Sequence, residues 1–203
     1  MVLIRGDSGV GKITALKLYT EQNAGVIFVT ANASTKSATA ILGKIAISEG
    51  RNTTGSIKLL MESLVDFLKN TKRLIIIDEA DNLTLNALQA VRNLNDEANV
   101  GIVLSGNNKL YNQMISGVRG YEFDQIRTRI FFKPKVLNDY TLDEIAHIFP
   151  DCDEKVLSIL QRTATSESLR EAIRLFNFCN IYISLQQGIK LTEKTMLRLM
   201  KMI

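Results

Sequence analysis

The 203 residues, 46% hydrophobic and 23% charged, are enough for one substantial α/β domain with a small satellite, and they exclude a disordered chain. A formal net charge of +4 with a pI near 9.1 admits a polyanionic partner without identifying one, because the Lys and Arg residues form no dense run. No apolar stretch approaches the roughly 18 to 20 residues that cross a bilayer. The N-terminus also lacks the apolar segment of a secretory signal, so no membrane partner is expected and the expected compartment is the cytoplasm.

In chain order, short apolar β-branched runs at Val2–Ile4, Val26–Thr30, Leu74–Ile77, Gly101–Leu104 and Ile130–Phe132 predict strands. Between them, helical spacing predicts helices near Gly11–Glu21, Thr35–Ile47, Ser56–Asn70, Thr84–Glu97 and Asn108–Ser116. Continuous apolar strands alternating with helices predict an α/β fold, a parallel sheet buried on both faces by helices. After Lys133-Pro134-Lys135 the strand pattern stops and apolar residues recur at helical intervals to the end. The expected division is therefore an α/β core over 1–135 and a small all-helical domain over 136–203. Thr141 with Glu144 three residues on predicts a capping box, and Thr192 predicts the start of the last helix. Cys152 and Cys179 stand far apart and read as buried thiols, and His147 has no neighbouring ligand types and reads as part of a helix face.

The chemistry begins at Gly6-Asp7-Ser8-Gly9-Val10-Gly11-Lys12, between the first strand and the first helix. That context suits a phosphate-binding loop: glycines let backbone N–H groups turn around an anion, the helix N-terminus adds positive potential, and the Lys12 ammonium reaches the β and γ phosphates. The motif calls next for Ser or Thr to place a hydroxyl on Mg²⁺, but Ile13 stands there and Thr14 follows. One step around a helix turns a side chain by about 100°, so Thr14 as the metal ligand requires a displaced helix start. ATP binding is thus a firmer expectation than efficient hydrolysis.

Leu74-Ile75-Ile76-Ile77-Asp78-Glu79 is a buried strand ending in two carboxylates, the Walker B pattern. Asp78 is expected to hold Mg²⁺ and Glu79 to orient the water that attacks the γ phosphate. Asp81 reads as an ordinary acidic loop residue. Asp78-Glu79-Ala80-Asp81 also spells a helicase signature, but the helical remainder is too short to supply the second catalytic domain that such helicases need. In Gly101–Asn107 another strand ends on a polar residue, and Asn107 is a candidate for the γ phosphate or lytic water. Helix capping is its competing role, with Asn108 beside it.

Arg119, Arg127 and Arg129 lie just ahead of the last predicted strand. Arg129 is the first candidate for a guanidinium offered to a neighbouring subunit's γ phosphate, and Arg127 the second; local salt bridges are the alternative. In Ser168–Arg174, Arg170 stands near a helix start and is a candidate phosphate contact, with pairing to Glu167 or Glu171 as its alternative.

On these residues the chain resembles the AAA+ superfamily, with Asn107 at the sensor-1 position, Arg129 at an arginine-finger position and Arg170 at the sensor-2 position. Within it, the chain looks most like transposition ATPases of the phage Mu B type and related Tn7-type regulators. That narrower likeness rests mainly on Tyr121-Glu122-Phe123-Asp124-Gln125-Ile126-Arg127-Thr128-Arg129-Ile130. The resemblance implies a RecA-like core with a helical lid, ATP and Mg²⁺ as cofactors, and ATP-dependent self-association head to tail on duplex DNA. It further implies target-site choice, recruitment of a transposase, and an N-terminal region ahead of the core. Only five residues precede Gly6, so the chain is expected to be a fragment or a truncated relative. Two other functions stay open: a nucleotide-binding scaffold or switch with little hydrolysis, and a general AAA+ loader or secretion ATPase.

Overall fold

The computed structural model describes residues 1–116, 120–186 and 190–202. Five strands, β1 (Val2–Gly6), β2 (Val26–Thr30), β3 (Leu74–Asp78), β4 (Gly101–Gly106) and β5 (Lys135–Val136), form one sheet in the order β2-β3-β4-β1-β5. Every pairing is parallel. Parallel neighbours need crossovers, and helices α1 (Lys12–Gln22), α2 (Ala38–Ser48), α3 (Ile57–Leu68), α4 (Leu85–Ala98), α5 (Asn108–Ser116) and α6 (Asp124–Arg129) lie between the strands. In β3 the residues Ile75, Ile76 and Ile77 are all at most 1% exposed, so both faces of the sheet are covered. The fold is the expected RecA-like parallel sheet flanked by helices.

Local chemistry explains the boundaries. Ser37, Ser56 and Thr84 each turn a side-chain oxygen onto an N–H of the first turn of α2, α3 and α4. The helix expected from Thr35 starts at Ala38 instead. Asn32 Oδ1 accepts from the N–H groups of Ser34 and Thr35, and this turn holds Thr35 outside the helix.

The strand expected at Ile130–Phe132 is not a strand. Ile130 caps the end of α6, and Phe132 contributes only an isolated bridge to Val2. The edge strand is Lys135–Val136, paired with Arg5 and Gly6. Pro134 has no N–H to give a ladder and precedes it, though its carbonyl accepts from Arg5 at 3.0 Å. Phe131 and Phe132 are 81% and 56% exposed, as an edge position allows.

The chain divides into two compact units, Met1–Gly6 with Lys12–Val136, and Asp7–Gly11 with Leu137–Ile203. The first holds the sheet and the larger core, running from Leu3 through Ile41, Leu64, Ile77 and Leu94 to Ile130. The second holds α7 (Leu142–Ile148), α8 (Glu154–Ser166), α9 (Leu169–Ser184) and α10 (Glu193–Met200). These four helices enclose their own core, with Ile145, Val156, Leu160, Ala172, Cys179, Met196 and Leu199. Thr141 and Glu144 form the expected capping box, Thr192 caps α10, and no described helix is long and apolar enough to cross a membrane. Of the two thiols, Cys179 is buried as expected and Cys152 only partly so.

Candidate nucleotide site

The parallel register places the candidate residues of three strands at one end of the sheet. Leu104 lies opposite both Leu3 and Ile77, so Gly6, Asp78 and Gly106, the last residues of β1, β3 and β4, finish close to one level. This is the carboxyl edge, where open α/β sheets bind their ligands.

From β1 the chain enters Asp7–Gly11 and then α1, whose helical residues start at Lys12. Gly9 and Gly11 have φ of +85° and +88°, a backbone region that side-chain-bearing residues rarely adopt. Such a turn directs successive N–H groups to one side, and the first turn of α1, whose N–H groups have no acceptor within the helix, follows it. The Lys12 ammonium donates to the Gly6 carbonyl at 2.8 Å, within the first unit. Ile13 is 37% exposed and Thr14 is exposed too, one residue farther around α1.

Within the second unit, Arg170 engages the loop twice. Its backbone N–H donates to the Gly9 carbonyl at 3.2 Å, and its guanidinium donates to Ser8 Oγ at 3.3 Å. Gly9 is tight against this helix start: a Cβ there would lie 2.9 Å from Ser168 Oγ and 3.1 Å from the Arg170 Cβ. Ser168, 8% exposed, caps α9 by accepting from the Glu171 N–H. Glu171 pairs with Arg174 at 2.6 Å, and Arg170 turns to the loop.

Asp78 is 4% exposed, and its Oδ1 accepts from Ser105 Oγ at 2.7 Å. Ser105, fully buried on β4, therefore orients the carboxylate and leaves its second oxygen for a further partner. Mg²⁺ takes oxygen ligands and keeps several waters, so one carboxylate beside phosphate oxygens suits it. Among the described residues no group of three or more His, Cys, Asp or Glu gathers as a metal cage.

Glu79 is exposed and has φ 53° and ψ 36°, a left-handed conformation that is costly for a non-glycine residue. The 3-10 turn Ala80–Asn82 follows, and both the N–H and the side-chain amide of Asn82 donate to the Glu79 carbonyl, at 2.9 and 3.2 Å. The turn swings the chain out of β3, with Glu79 at the corner.

Asn107 is held at both ends. Its Oδ1 accepts from the Lys109 N–H at 2.7 Å, capping α5, and its Nδ2 donates to Asp81 Oδ2 at 2.6 Å. Asp81 Oδ1 accepts from the Asn107 backbone N–H at 3.1 Å. The capping alternative raised by the sequence is thus realised in the same residue as the candidate sensor. Asn108 instead accepts from the Arg5 guanidinium at 3.5 Å.

Arg129 is the last residue of α6, and its Nε donates to Asp96 Oδ1 of α4 at 2.8 Å. That hydrogen bond pushes the already high guanidinium pKa further up. The intrachain partner is Asp96, and Arg127 takes Asp124 at 2.7 Å. Arg119 lies outside the described residues.

Sequence reasoning passed over Ser105 and Asp81. Ser105 had a usable signal, a hydroxyl in an apolar strand beside the carboxylate strand, whereas Asp81 had none that separates it from any acidic loop.

A family model described as an AAA domain matches residues 1–114, more than half of the chain. The chain belongs to the AAA domain family. Among curated relatives of this AAA domain, it is 32% identical over 176 residues to the Mu-like prophage FluMu DNA transposition protein B of Haemophilus influenzae, covering 84% of the chain and 61% of that protein. It is also 32% identical over 180 residues to the ATP-dependent target DNA activator B of Escherichia phage Mu, covering 87% of the chain and 57% of that protein. The chain thus spans about three fifths of the length of the curated relatives it matches. Among solved structures, a single-residue variant of Thermotoga maritima RuvB superimposes with a TM-score of 0.60 over 99% of this chain and 61% of that one. At 14% identity this likeness speaks to the fold alone.

Proposed function

We propose that the chain is the ATP-binding AAA module of a DNA transposition protein, using ATP to bind duplex DNA and self-associate in target selection and transposase activation. The nucleotide assignment is carried by Lys12, which reaches the Gly6 carbonyl at the sheet edge where Asp78 ends β3, and is supported by the left-handed Gly9 and Gly11 of the phosphate-loop sequence. The transposition assignment is supported by the similarity to the two B proteins, one of them named an ATP-dependent target DNA activator.

In this reading residues 1–135 bind nucleotide and 136–203 form a lid, acting in the cytoplasm. The backbone of Gly6–Gly11 wraps the phosphates, and Lys12 exchanges the Gly6 carbonyl for a β or γ oxygen. Asp78 would hold Mg²⁺, which would neutralise phosphate charge, and Thr14 offers a hydroxyl one residue beyond the usual ligand position. Glu79 orients the attacking water and Asn107 contributes an amide N–H. Arg170 and Ser8 exchange their mutual hydrogen bond for phosphate, and Arg129 serves the neighbouring subunit's site.

Ile13 supports a second reading, a nucleotide-dependent switch that turns ATP over slowly, because a sec-butyl group offers magnesium no lone pair. Calorimetric titration with ATP tests the site: Lys12→Ala is expected to lose binding while Glu79→Gln keeps it and loses turnover. Unchanged affinity in a folded Lys12→Ala protein removes the loop from the function.

A further inference from the structure

The contact that this mechanism leaves unused is the one between Asp81 and Asn107. We propose that Asp81 is a positioning residue for Asn107, a carboxylate clamp that ties the turn after β3 to the end of β4 and aims the Asn107 amide. The proposal rests on the assignment of Asn107 to the nucleotide site.

Three observations carry it. Both Asp81 oxygens are committed to one residue, Oδ1 to the Asn107 backbone N–H at 3.1 Å and Oδ2 to its Nδ2 at 2.6 Å. The other end of the same amide is fixed as well, with Oδ1 of Asn107 accepting from the Lys109 N–H at 2.7 Å. A flipped amide would place its NH₂ against that N–H and its oxygen against the carboxylate, so the network specifies a single orientation. Finally, Gly106 makes room for the clamp: a Cβ there would lie 2.7 Å from Asp81 Oδ1, closer than real side chains approach.

The consequence follows from donor counting. An amide NH₂ has two hydrogens, and Asp81 takes one, so the second is held in a fixed direction to donate to an oxygen of a phosphate or a water. The ionised carboxylate strengthens the bond it receives, and the amide loses the freedom to rotate. Since Asp81 sits two residues beyond Glu79, the clamp also ties the candidate water-orienting residue to the candidate sensor through three consecutive residues of chain. Preorganisation of this kind acts on the chemical step more than on substrate binding, because the donor's direction matters most when charge moves.

The test is a double-mutant cycle on ATP turnover in the presence of duplex DNA, using Asp81→Ala, Asn107→Ala and the combination, with ATP affinity measured alongside. The clamp predicts that each single change lowers kcat by about tenfold or more while the ATP Kd moves less than about threefold, and that the double variant is no slower than the worse single one. Loss of turnover in Asn107→Ala with turnover unchanged in Asp81→Ala overturns the clamp and leaves the nucleotide-site role of Asn107 standing. Unchanged turnover in Asn107→Ala overturns that role and the clamp with it. Multiplicative losses in the double variant also overturn the clamp, since independent residues behave that way.

A readout free of activity protects the test if Asp81→Ala unfolds. The side-chain amide resonances of Asn107, assigned by NMR in the parent, are expected to be dispersed and slowly exchanging. In the isosteric Asp81→Asn variant, which keeps one acceptor and sets a donor against the other of the two Asn107 donors, they should move toward the values of an exposed amide. Resonances already at exposed values in the parent, or unmoved by Asp81→Asn, overturn the proposal.

Discussion

In the proposed function, Ile13 is the residue at which nucleotide binding and magnesium-assisted chemistry part. The loop around it has the geometry of a phosphate cradle, and Lys12 is already folded over its carbonyl. Those features need no hydroxyl, whereas the proposed magnesium site would gain a ligand from one. Ile13→Thr is therefore expected to raise magnesium-dependent turnover and tighten the apparent magnesium affinity while leaving ATP affinity nearly unchanged. Because Ile13 is 37% exposed, the replacement should alter stability by less than about 1 kcal/mol, as surface changes usually do. Steady-state turnover against magnesium concentration checks this, and identical curves for the two proteins would mean that Thr14 or water already completes the metal shell.

Among the elements, capping chemistry decides where helices begin, and α7 isolates it best. Thr141 and Glu144 exchange hydrogen bonds, and the Thr141 N–H followed by the Thr141 hydroxyl holds the Glu144 carboxyl below its usual pKa. A depressed carboxyl pKa adds stability above the ordinary Glu value, and that stability is lost as pH falls through the lowered one. Thr141→Ala should cost about 1 kcal/mol in denaturant unfolding at neutral pH, the usual worth of a cap. It should also raise the Glu144 pKa toward the ordinary value by NMR titration; an unmoved pKa would show that the hydroxyl has no part in it. This capping box was legible in the sequence because its two residues sit three apart. So were β2 and the carboxylate end of β3, where apolar runs are uninterrupted. The edge strand was not: Ile130–Phe132 has the β-branched and aromatic composition, yet the pairing falls at Lys135–Val136, beyond Pro134. Pairing there is set by carbonyls of Phe132 and Pro134 that meet Leu3 and Arg5 from a distant part of the chain, and local pattern carries no trace of that. The same limit hid Asp81, whose partner lies 26 residues away.

For the molecule as a whole, two units with separate cores and relatives named for DNA transposition frame the question of assembly. Arg129 stands at that question. It is bound to Asp96, yet its side chain is 47% exposed, so solvent screens the pair and it adds little to folding. Arg129→Ala should leave the monomer's unfolding midpoint and ATP affinity nearly intact while weakening ATP-dependent oligomers seen by light scattering. Oligomers forming at the parent's protein concentration would return Arg129 to a purely intrachain role and pass the finger to Arg127 or Arg119. The measurement that tests the central claim most directly is the affinity of the purified chain for a labelled DNA duplex, read by fluorescence anisotropy with ATP, with ADP and without nucleotide. ATP and magnesium are expected to tighten binding by about tenfold or more, and Lys12→Ala to abolish the gain while keeping its fold. Equal DNA affinity in all three conditions, with ATP shown to be bound, would contradict that claim.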